Sequence, residues 1–351
     1  MRIAFVYNKG RPDSFIGRSF DLGNFGGSEG SMIHFAYALT ELGHDVCIYI
    51  PGVQPHKHGG VEWRAIEGEA RFRETFDVVI ALRFPNALEG MFARVRALYC
   101  CDPELYELPS YVDSGEVNLV IVISEHHKHR FQQQHPIDEG LYIVSNAGVV
   151  WSDYDRLDIP KMRGRAIYCS VPGRGLEPLG SIWPMIHKEI PWATLHITGS
   201  LKLWGLDVPP SKVEQLINLR GVPGVTYLGL ISREVLIREQ LQSQVLLLPG
   251  EPASPEMCCM SAMECAAARN LIIVCDIAAL SERVIEGRTG YVVRRECGWE
   301  GVFAQKAVGA LTHPYLSAMQ GLARGGEREH DYAVLASKWV TRFEEELSAR
   351  R

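Results

Sequence analysis

Two carboxylates sit where carboxylates are rare. Glu256 and Glu264 fall inside Pro255-Glu256-Met257-Cys258-Cys259-Met260-Ser261-Ala262-Met263-Glu264-Cys265-Ala266-Ala267-Ala268, a stretch otherwise almost wholly apolar and rich in small side chains. The pattern predicts a helix that is apolar on almost every side, and such a helix belongs inside a protein. A buried carboxylate is costly unless something hydrogen-bonds to it or pairs with it. Pro255 suits the first helical position, which places Glu256 at the helix mouth beside free backbone N–H groups. Glu264 then lies deeper, about 12 Å along the axis at ~1.5 Å rise per residue. A helix mouth also favours anions, through its unpaired N–H groups and its dipole. Two acids at that separation, with amides at one end, match the length of a nucleoside diphosphate sugar from ribose to sugar. The alternative reading is plainer: an ordinary first-turn acid, and a core acid paired with an arginine elsewhere in the chain.

The elements that must position these residues follow a regular alternation. Ile3–Tyr7 reads as a buried strand, and a long polar loop then ends in Phe25-Gly26-Gly27-Ser28-Glu29-Gly30. A helix is predicted over 31–43 with a glycine stop, and a strand over 45–50. This is a βαβ unit with Gly26 and Gly27 at the helix entrance, where glycines let backbone amides approach a phosphate. The spacing fits neither the dinucleotide fingerprint nor the Walker loop. Further strands are predicted over 77–82, 97–101, 118–123 and 142–144, then over 165–170, 193–199, 225–229, 245–249 and 271–275. Such alternation predicts open parallel sheets, whose ligands bind beyond the carboxyl ends of the strands. Arg83, Asp102 and Ser124-Glu125-His126-His127 stand at those ends, and Asp102 is the preferred functional candidate among them. His126, His127, Lys128 and His129 read as a solvated helix face. The polar run from Ser152 to Arg165 reads as a linker.

Bulk properties are those of a globular protein. The 351 residues exceed what one core usually holds, so two domains are expected. A formal net charge of −6 gives no bulk attraction to nucleic acid or anionic lipid. The nine cysteines form no Cys-x-x-Cys pair, which points to reduced thiols in a cytoplasmic protein. No stretch reaches membrane-spanning length, and the N-terminal residues read as a strand rather than a signal peptide.

Taken together, Glu256 and Glu264 resemble the Glu-x7-Glu motif of the retaining GT-B glycosyltransferases, the GT4-like or group 1 family. The resemblance extends over nearly the whole chain and is strongest from Val225 to Val293. It implies an α/β fold of GT-B type: two Rossmann-like domains with parallel sheets facing across a cleft. Residues 1–155 would form the acceptor-side domain, together with a C-terminal helix at about 331–351; residues 156–330 would bind the nucleotide sugar. It also implies roles. Glu264 would accept hydrogen bonds from ribose hydroxyls, and Glu256 would contact the sugar ring. Amides near Met257, Cys258 and Cys259 would support sugar hydroxyls or phosphate. Arg174, in Arg174-Gly175-Leu176, stands where relatives carry Lys-Gly-Leu, and it would hold the diphosphate with the Gly26 and Gly27 amides. Ile231 and Arg233 would line the base, and Asp102 would contact the donor sugar.

Three departures from the family pattern are visible. Cys101 occupies the slot of a histidine, Cys169-Ser170 that of an upstream arginine, and Arg269-Asn270-Leu271 that of a Gly-x-Pro turn. The activity implied is transfer of a hexose, with retention, from a nucleoside diphosphate sugar to a hydroxyl acceptor. That acceptor would be a glycan, a lipid-linked sugar or a small molecule. No cofactor is expected beyond the donor, and no metal, because no Asp-x-Asp motif is present and cations serve instead. Other readings of the same resemblance are a viral-type transferase acting on DNA bases, a nucleotide-sugar epimerase and a silent sugar-nucleotide binder. Nucleic acid is the less favoured partner, and membrane contact would be peripheral.

Overall fold

The computed structural model describes residues 1–8, 26–67, 73–105, 107–156, 158–201, 219 and 221–350. The polar loop expected after the first strand lies outside the described residues. The chain divides into two compact units, Met1–Gly148 with His330–Arg351, and Val149–Glu329. The first runs through β1 (Arg2–Val6), α1 (Gly27–Glu41), β2 (Asp45–Ile50), β3 (His56–His58), β4 (Val61–Ala65), β5 (Thr75–Leu82), β6 (Phe92–Tyr99), α2 (Leu108–Asp113), β7 (Leu119–Val122), α3 (Glu125–Gln134) and β8 (Tyr142–Val144). The second runs through β9 (Arg165–Cys169), α4 (Leu179–Glu189), β10 (Thr194–Thr198), β11 (Val225–Gly229), α5 (Arg233–Gln242) and β12 (Val245–Leu248). It continues through α6 (Met260–Ala267), β13 (Leu271–Cys275), β14 (Gly290–Val293), α7 (Trp299–Thr312) and α8 (Leu316–Glu327). A last helix, α9 (Tyr332–Ala349), belongs to the first unit.

Each unit is built on one sheet. The first has strand order β3-β4-β2-β1-β5-β6-β7-β8, parallel except where β3 runs antiparallel to β4. The second has the order β11-β10-β9-β12-β13-β14, parallel throughout. The central strands are apolar runs buried along their length, such as Leu271-Ile272-Ile273-Val274-Cys275. This is what a parallel sheet covered on both faces requires. Strand order reverses around β1 and β5 in the first sheet and around β9 and β12 in the second. These are topological switch points, where the loops leave in opposite directions and open a crevice beyond the carboxyl ends of the strands.

In the first unit, α9 covers part of the core. Trp339 stacks on Phe35 with centroids 3.8 Å apart and donates its indole N–H to Ser145 Oγ at 3.0 Å. Gly148 has φ +87, and a Cβ there would fall 2.3 Å from the Tyr332 ring, so the turn before the second unit needs glycine. All nine cysteines are free thiols. No described helix is long and apolar enough to cross a membrane.

Two expectations change on this fold. The segment read as a linker is anchored in the second unit, whose first residue is Val149. Trp151 and Tyr154 are buried in a short 3-10 helix. Lys161 is spent on main-chain carbonyls and Asn270: its ammonium donates to Ala268 C=O at 2.7 Å, Asn270 Oδ1 at 2.6 Å and Ser243 C=O. A cation at the ends of α5 and α6 satisfies carbonyls that a helix cannot pair itself. Arg324 adds a second clamp, donating to Ala267 C=O at 2.6 Å and to Tyr154 C=O at 2.8 Å.

The second change concerns His127, read with its neighbours as a solvated face. It is fully buried. Nε2–H donates to Asp102 C=O at 2.8 Å, and Nδ1 accepts the Ile123 N–H at 3.4 Å, which is the neutral tautomer. The ionisable groups around it are Asp102, His126 and Arg130, and burial is the largest influence, bringing its pKa down to about 4. The sign follows from linkage. Between pH ~6.5 and ~4 an unfolded chain takes up a proton that the folded imidazole refuses, so stability falls as pH falls through that window. A separation of about 2.5 pKa units corresponds to about 3 kcal/mol at 1.36 kcal/mol per unit. Urea unfolding followed from pH 7 to pH 4 is expected to show this loss in the wild type. In His127→Gln the slope should be flatter by about one proton; equal slopes would contradict the buried neutral ring.

Candidate active site

Glu264 stands on α6 with 8% of its surface exposed. It accepts from Arg233 Nη1 at 2.6 Å and from Gln240 Nε2 at 3.1 Å. Arg233 is the first residue of α5, behind the Ser232 cap, whose Oγ accepts the Val235 N–H. Its Nη2 reaches the Tyr154 hydroxyl oxygen at 3.1 Å and Asp153 Oδ2 at 3.3 Å. The Tyr154 hydroxyl in turn donates to Gln240 Oε1 at 2.8 Å. The result is a closed ring of Glu264, Arg233, Tyr154 and Gln240. Burial pushes the Asp153 carboxyl up, against the pull of the Arg233 guanidinium. Removing one member of such a buried pair costs about 3–5 kcal/mol, because the other charge stays uncompensated. The clamps from Lys161 and Arg324 hold the far ends of the two helices that carry the ring.

Glu256 is not in a helix. The predicted start at Pro255 gives way to a loop over 255–259, and α6 begins at Met260. Cys259 has φ +61, a left-handed conformation through which an α-helix cannot propagate. The carbonyls a longer helix would have used are spent elsewhere. Pro255 C=O accepts from Arg174 at 3.2 Å and Glu256 C=O accepts the Ala279 N–H at 3.0 Å. The axial separation predicted from helix geometry therefore does not apply. Met257, Cys258 and Cys259 are buried in this loop. Cys259 C=O closes the first turn by accepting the Ala262 N–H at 3.1 Å and the Met263 N–H at 3.3 Å. Ser261 Oγ donates to Cys169 C=O at 2.5 Å, tying the start of α6 to the end of β9.

The Glu256 carboxylate pairs with Arg174 Nη1 at 2.7 Å. Arg174 ends the turn after β9, and Glu256 follows β12, so the ion pair bridges the switch point of the second sheet. Burial pushes the Glu256 carboxyl up, and the guanidinium pulls it down. The turns here meet backbone to backbone. A Cβ on Gly175, at φ +102, would lie 2.5 Å from the main chain of Gly250, so neither turn could carry a side chain at that approach. Ile231 is half-buried, just ahead of the Ser232 cap of α5. Arg233, expected beside it as a base contact, is committed to Glu264 instead.

The first unit places the remaining candidates at its own switch point. Gly26 caps α1 and Gly27 is its first residue; Gly26 C=O accepts the Gly30 N–H at 3.1 Å. Asp102, beyond the end of β6, is held bidentately by Arg83, through Nε at 2.6 Å and through Nη2. Arg83 Nη1 lies 3.8 Å from Glu29 on α1, and the Tyr7 hydroxyl donates to the same Glu29 oxygen at 3.2 Å. Burial, followed by the charge of Glu29, pushes the Tyr7 phenol up to about 12. Burial likewise pushes the neighbouring Cys101 thiol up to about 12.

The structure thus brings Arg174 together with Glu256, Arg233 with Glu264, and Asp102 with Arg83. Sequence reasoning missed Asp153, Tyr154 and Gln240 around Glu264, and Tyr7 and Glu29 around Arg83. Only position relative to the strand ends signalled the last two; Asp153 and Tyr154 were hidden in what read as a linker.

No protein-family model matches the chain, and neither does any curated protein. Solved structures do. Sucrose-phosphate synthase from Thermosynechococcus elongatus is similar with a TM-score of 0.75 at 14% identity, over 99% of this chain and 100% of that one. A glycosyltransferase from Rickettsia africae has a TM-score of 0.73 at 15% identity, over 99% of each chain. HepE of Anabaena, in complex with UDP and glucose, has a TM-score of 0.73 at 15% identity, over 98% of this chain and 100% of that one. At such identities the likeness carries the architecture alone: this chain has the GT-B fold, two Rossmann-like α/β units.

Proposed function

We propose that the protein is a retaining glycosyltransferase of the group 1, GT4-like type. It transfers a hexose from a nucleoside diphosphate sugar to a hydroxyl of a glycan, a lipid-linked sugar or a small molecule. The observation that carries this reading is the pairing of Arg174 with Glu256 across the switch point of the second sheet. A cation, a carboxylate and glycine turns converge where ligands of open parallel sheets bind. Glu264 stands one helix further along the same segment. The neighbours agree in kind: HepE is described with UDP and glucose and with UDP-glucose, and WaaG as a glycosyltransferase of lipopolysaccharide biosynthesis.

Each residue has a task in the reaction. Glu264 retains lone pairs beyond those used by Arg233 and Gln240, and they accept the ribose hydroxyls. Arg174 turns from Glu256 to the diphosphate, for which its planar fork is suited. As the bond between the anomeric carbon and the diphosphate breaks, negative charge gathers on phosphate oxygens. Arg174 stabilises it, which is electrostatic catalysis by a fixed cation. Glu256, released from the guanidinium, holds the sugar ring while the acceptor oxygen bonds to the anomeric carbon on the same face and passes its proton to the departing diphosphate. Ile231 flanks the base while Arg233 stays on Glu264, and the amides near Met257, Cys258 and Cys259 meet sugar hydroxyls or phosphate. Asp102 contacts the sugar from the first unit. Arg174 makes a divalent ion unnecessary to this scheme.

Donor binding is tested by thermal shift against UDP, GDP, ADP and dTDP and their sugars, since a ligand of the folded state raises its melting point. At least one diphosphate should raise it, and Glu264→Gln should weaken that ligand about 10-fold, the size of a lost charged hydrogen bond. Melting points that no nucleotide moves would end the proposal.

Glu256→Gln addresses the chemical step. Transfer is expected to fall by about 100-fold, as for loss of one preorganised polar group in an active site, while nucleotide affinity changes little. Excess EDTA should leave the wild-type rate intact, and proton NMR of the first product should show the donor's anomeric configuration. An inverted product would refute the retaining reading, and an EDTA-sensitive rate would refute the metal-free one.

A further inference from the structure

Arg83 is one of four non-glycine residues with positive φ among the described residues, at φ +67. A long side chain seldom adopts this conformation, and such strain gathers where structure around it imposes an orientation. Here the imposing bonds are visible. The Arg83 N–H donates to Tyr99 C=O at 2.9 Å, and the Phe84 N–H donates to Leu82 C=O at 2.8 Å, so the chain reverses over Arg83 in a three-residue turn. The reversal falls immediately after β5, at the switch point of the first sheet. It aims the guanidinium at Asp102.

Asp102 is thereby fixed at both ends. Its carbonyl is pinned by the buried His127 ring at 2.8 Å, and its carboxylate by two N–H groups of Arg83. Yet the Asp102 side chain keeps 40% of its surface in solvent, so the outer lone pairs of the carboxylate face outward. A half-exposed ion pair adds little to stability and does not by itself explain a strained backbone. An orientation task does. Both edges of Arg83 are used, since Nη1 faces Glu29 at 3.8 Å.

We infer that Arg83 is a positioning residue: it holds the Asp102 carboxylate aimed, as a hydrogen-bond acceptor for a hydroxyl of the reacting sugars. The inference rests on the transferase reading above and deepens its first-unit site. With one guanidinium shared between Glu29 and Asp102, the cluster receives neutral hydroxyls rather than a further anion.

Arg83→Gly separates orientation from folding, because glycine adopts a φ of +67 without strain. The variant should melt no lower than the wild type and keep the shift given by whichever nucleoside diphosphate stabilises the wild type. Its transfer rate should fall about 100-fold, and 50 mM methylguanidinium should restore it about tenfold, whereas methylammonium should not. Asp102→Asn should lose the same rate without any rescue. A transfer rate in Arg83→Gly within threefold of wild type, or equal rescue by methylammonium, overturns the positioning role while the nucleotide-induced shift still supports the transferase. A wild type that gives no shift with any nucleotide instead overturns the transferase reading, and this inference with it.

Discussion

A carboxylate taken out of water must find a partner, and in this chain that requirement organises the candidate site. Glu256 and Glu264 sit within an apolar segment, and each is met by an arginine brought from another element of the same unit. Around those pairs everything else is arranged to hold them. The ends of α5 and α6 are clamped by Lys161 and Arg324. The turns that carry Arg174 and Glu256 approach so closely that glycine is required where they touch. Tyr154 and Gln240 complete the bonds that a lone ion pair would leave unmade.

The two pairs are not equivalent. Arg233 gives bonds to Glu264, Asp153 and Tyr154 at once, tying three groups of the unit together. Its release would leave two carboxylates, Glu264 and Asp153, without their cation, which suits a fixed member of the site. Arg174 stands at the end of a glycine-flanked turn, and among its partners are the Glu256 carboxylate and the Pro255 carbonyl. A diphosphate offers more charge and more acceptor oxygens than Glu256 does. In the proposed reaction the guanidinium can therefore exchange one anion for another with little reorganisation, and the acid it leaves becomes available to hydroxyls. The ion pair at Glu256 is then a resting arrangement of a phosphate site rather than an obstacle to it.

Much of this architecture was legible from residue order, and the limits have physical causes. Strands buried on both faces announce themselves as unbroken apolar runs, so β2 and β13 were located to the residue; the edge strands β8 and β11 were located too, from short apolar-rich runs between turn residues. The β3–β4 hairpin was missed because His56-Lys57-His58 is polar and lies at the sheet edge, where no burial pattern is imposed. The helix start at Pro255 was misplaced because nothing in the residue types signals that Cys259 turns left-handed. The bond that holds Pro255 C=O comes from Arg174, 81 residues away. His127 shows the same limit. Its neighbours are polar and its periodicity is that of a surface helix, yet it is consumed by Asp102 C=O and Ile123 N–H. Local pattern reveals which residues leave water; it does not reveal which distant group receives them.

The two units reach a similar solution with different residues. Each sheet reverses its chain order once, and at each reversal an arginine pairs with a carboxylate beyond the strand ends. At each pair a non-glycine residue adopts the left-handed region: the paired Arg83 itself in one unit, and Cys259, three residues after the paired Glu256, in the other. Backbone strain of about 1–3 kcal/mol at each such residue persists only where neighbouring bonds over-determine the geometry. At Cys259 those bonds are the closed first turn of α6 and the tie between Ser261 and β9. At Arg83 they are the three-residue turn and the bidentate grip on Asp102. A parallel sheet supplies the crevice at no cost to its own hydrogen bonding, because the strands end there. What the loops must add is a charge held at a set angle. An arginine anchored by a second acid or a carbonyl supplies that charge without burying it beyond the reach of a ligand.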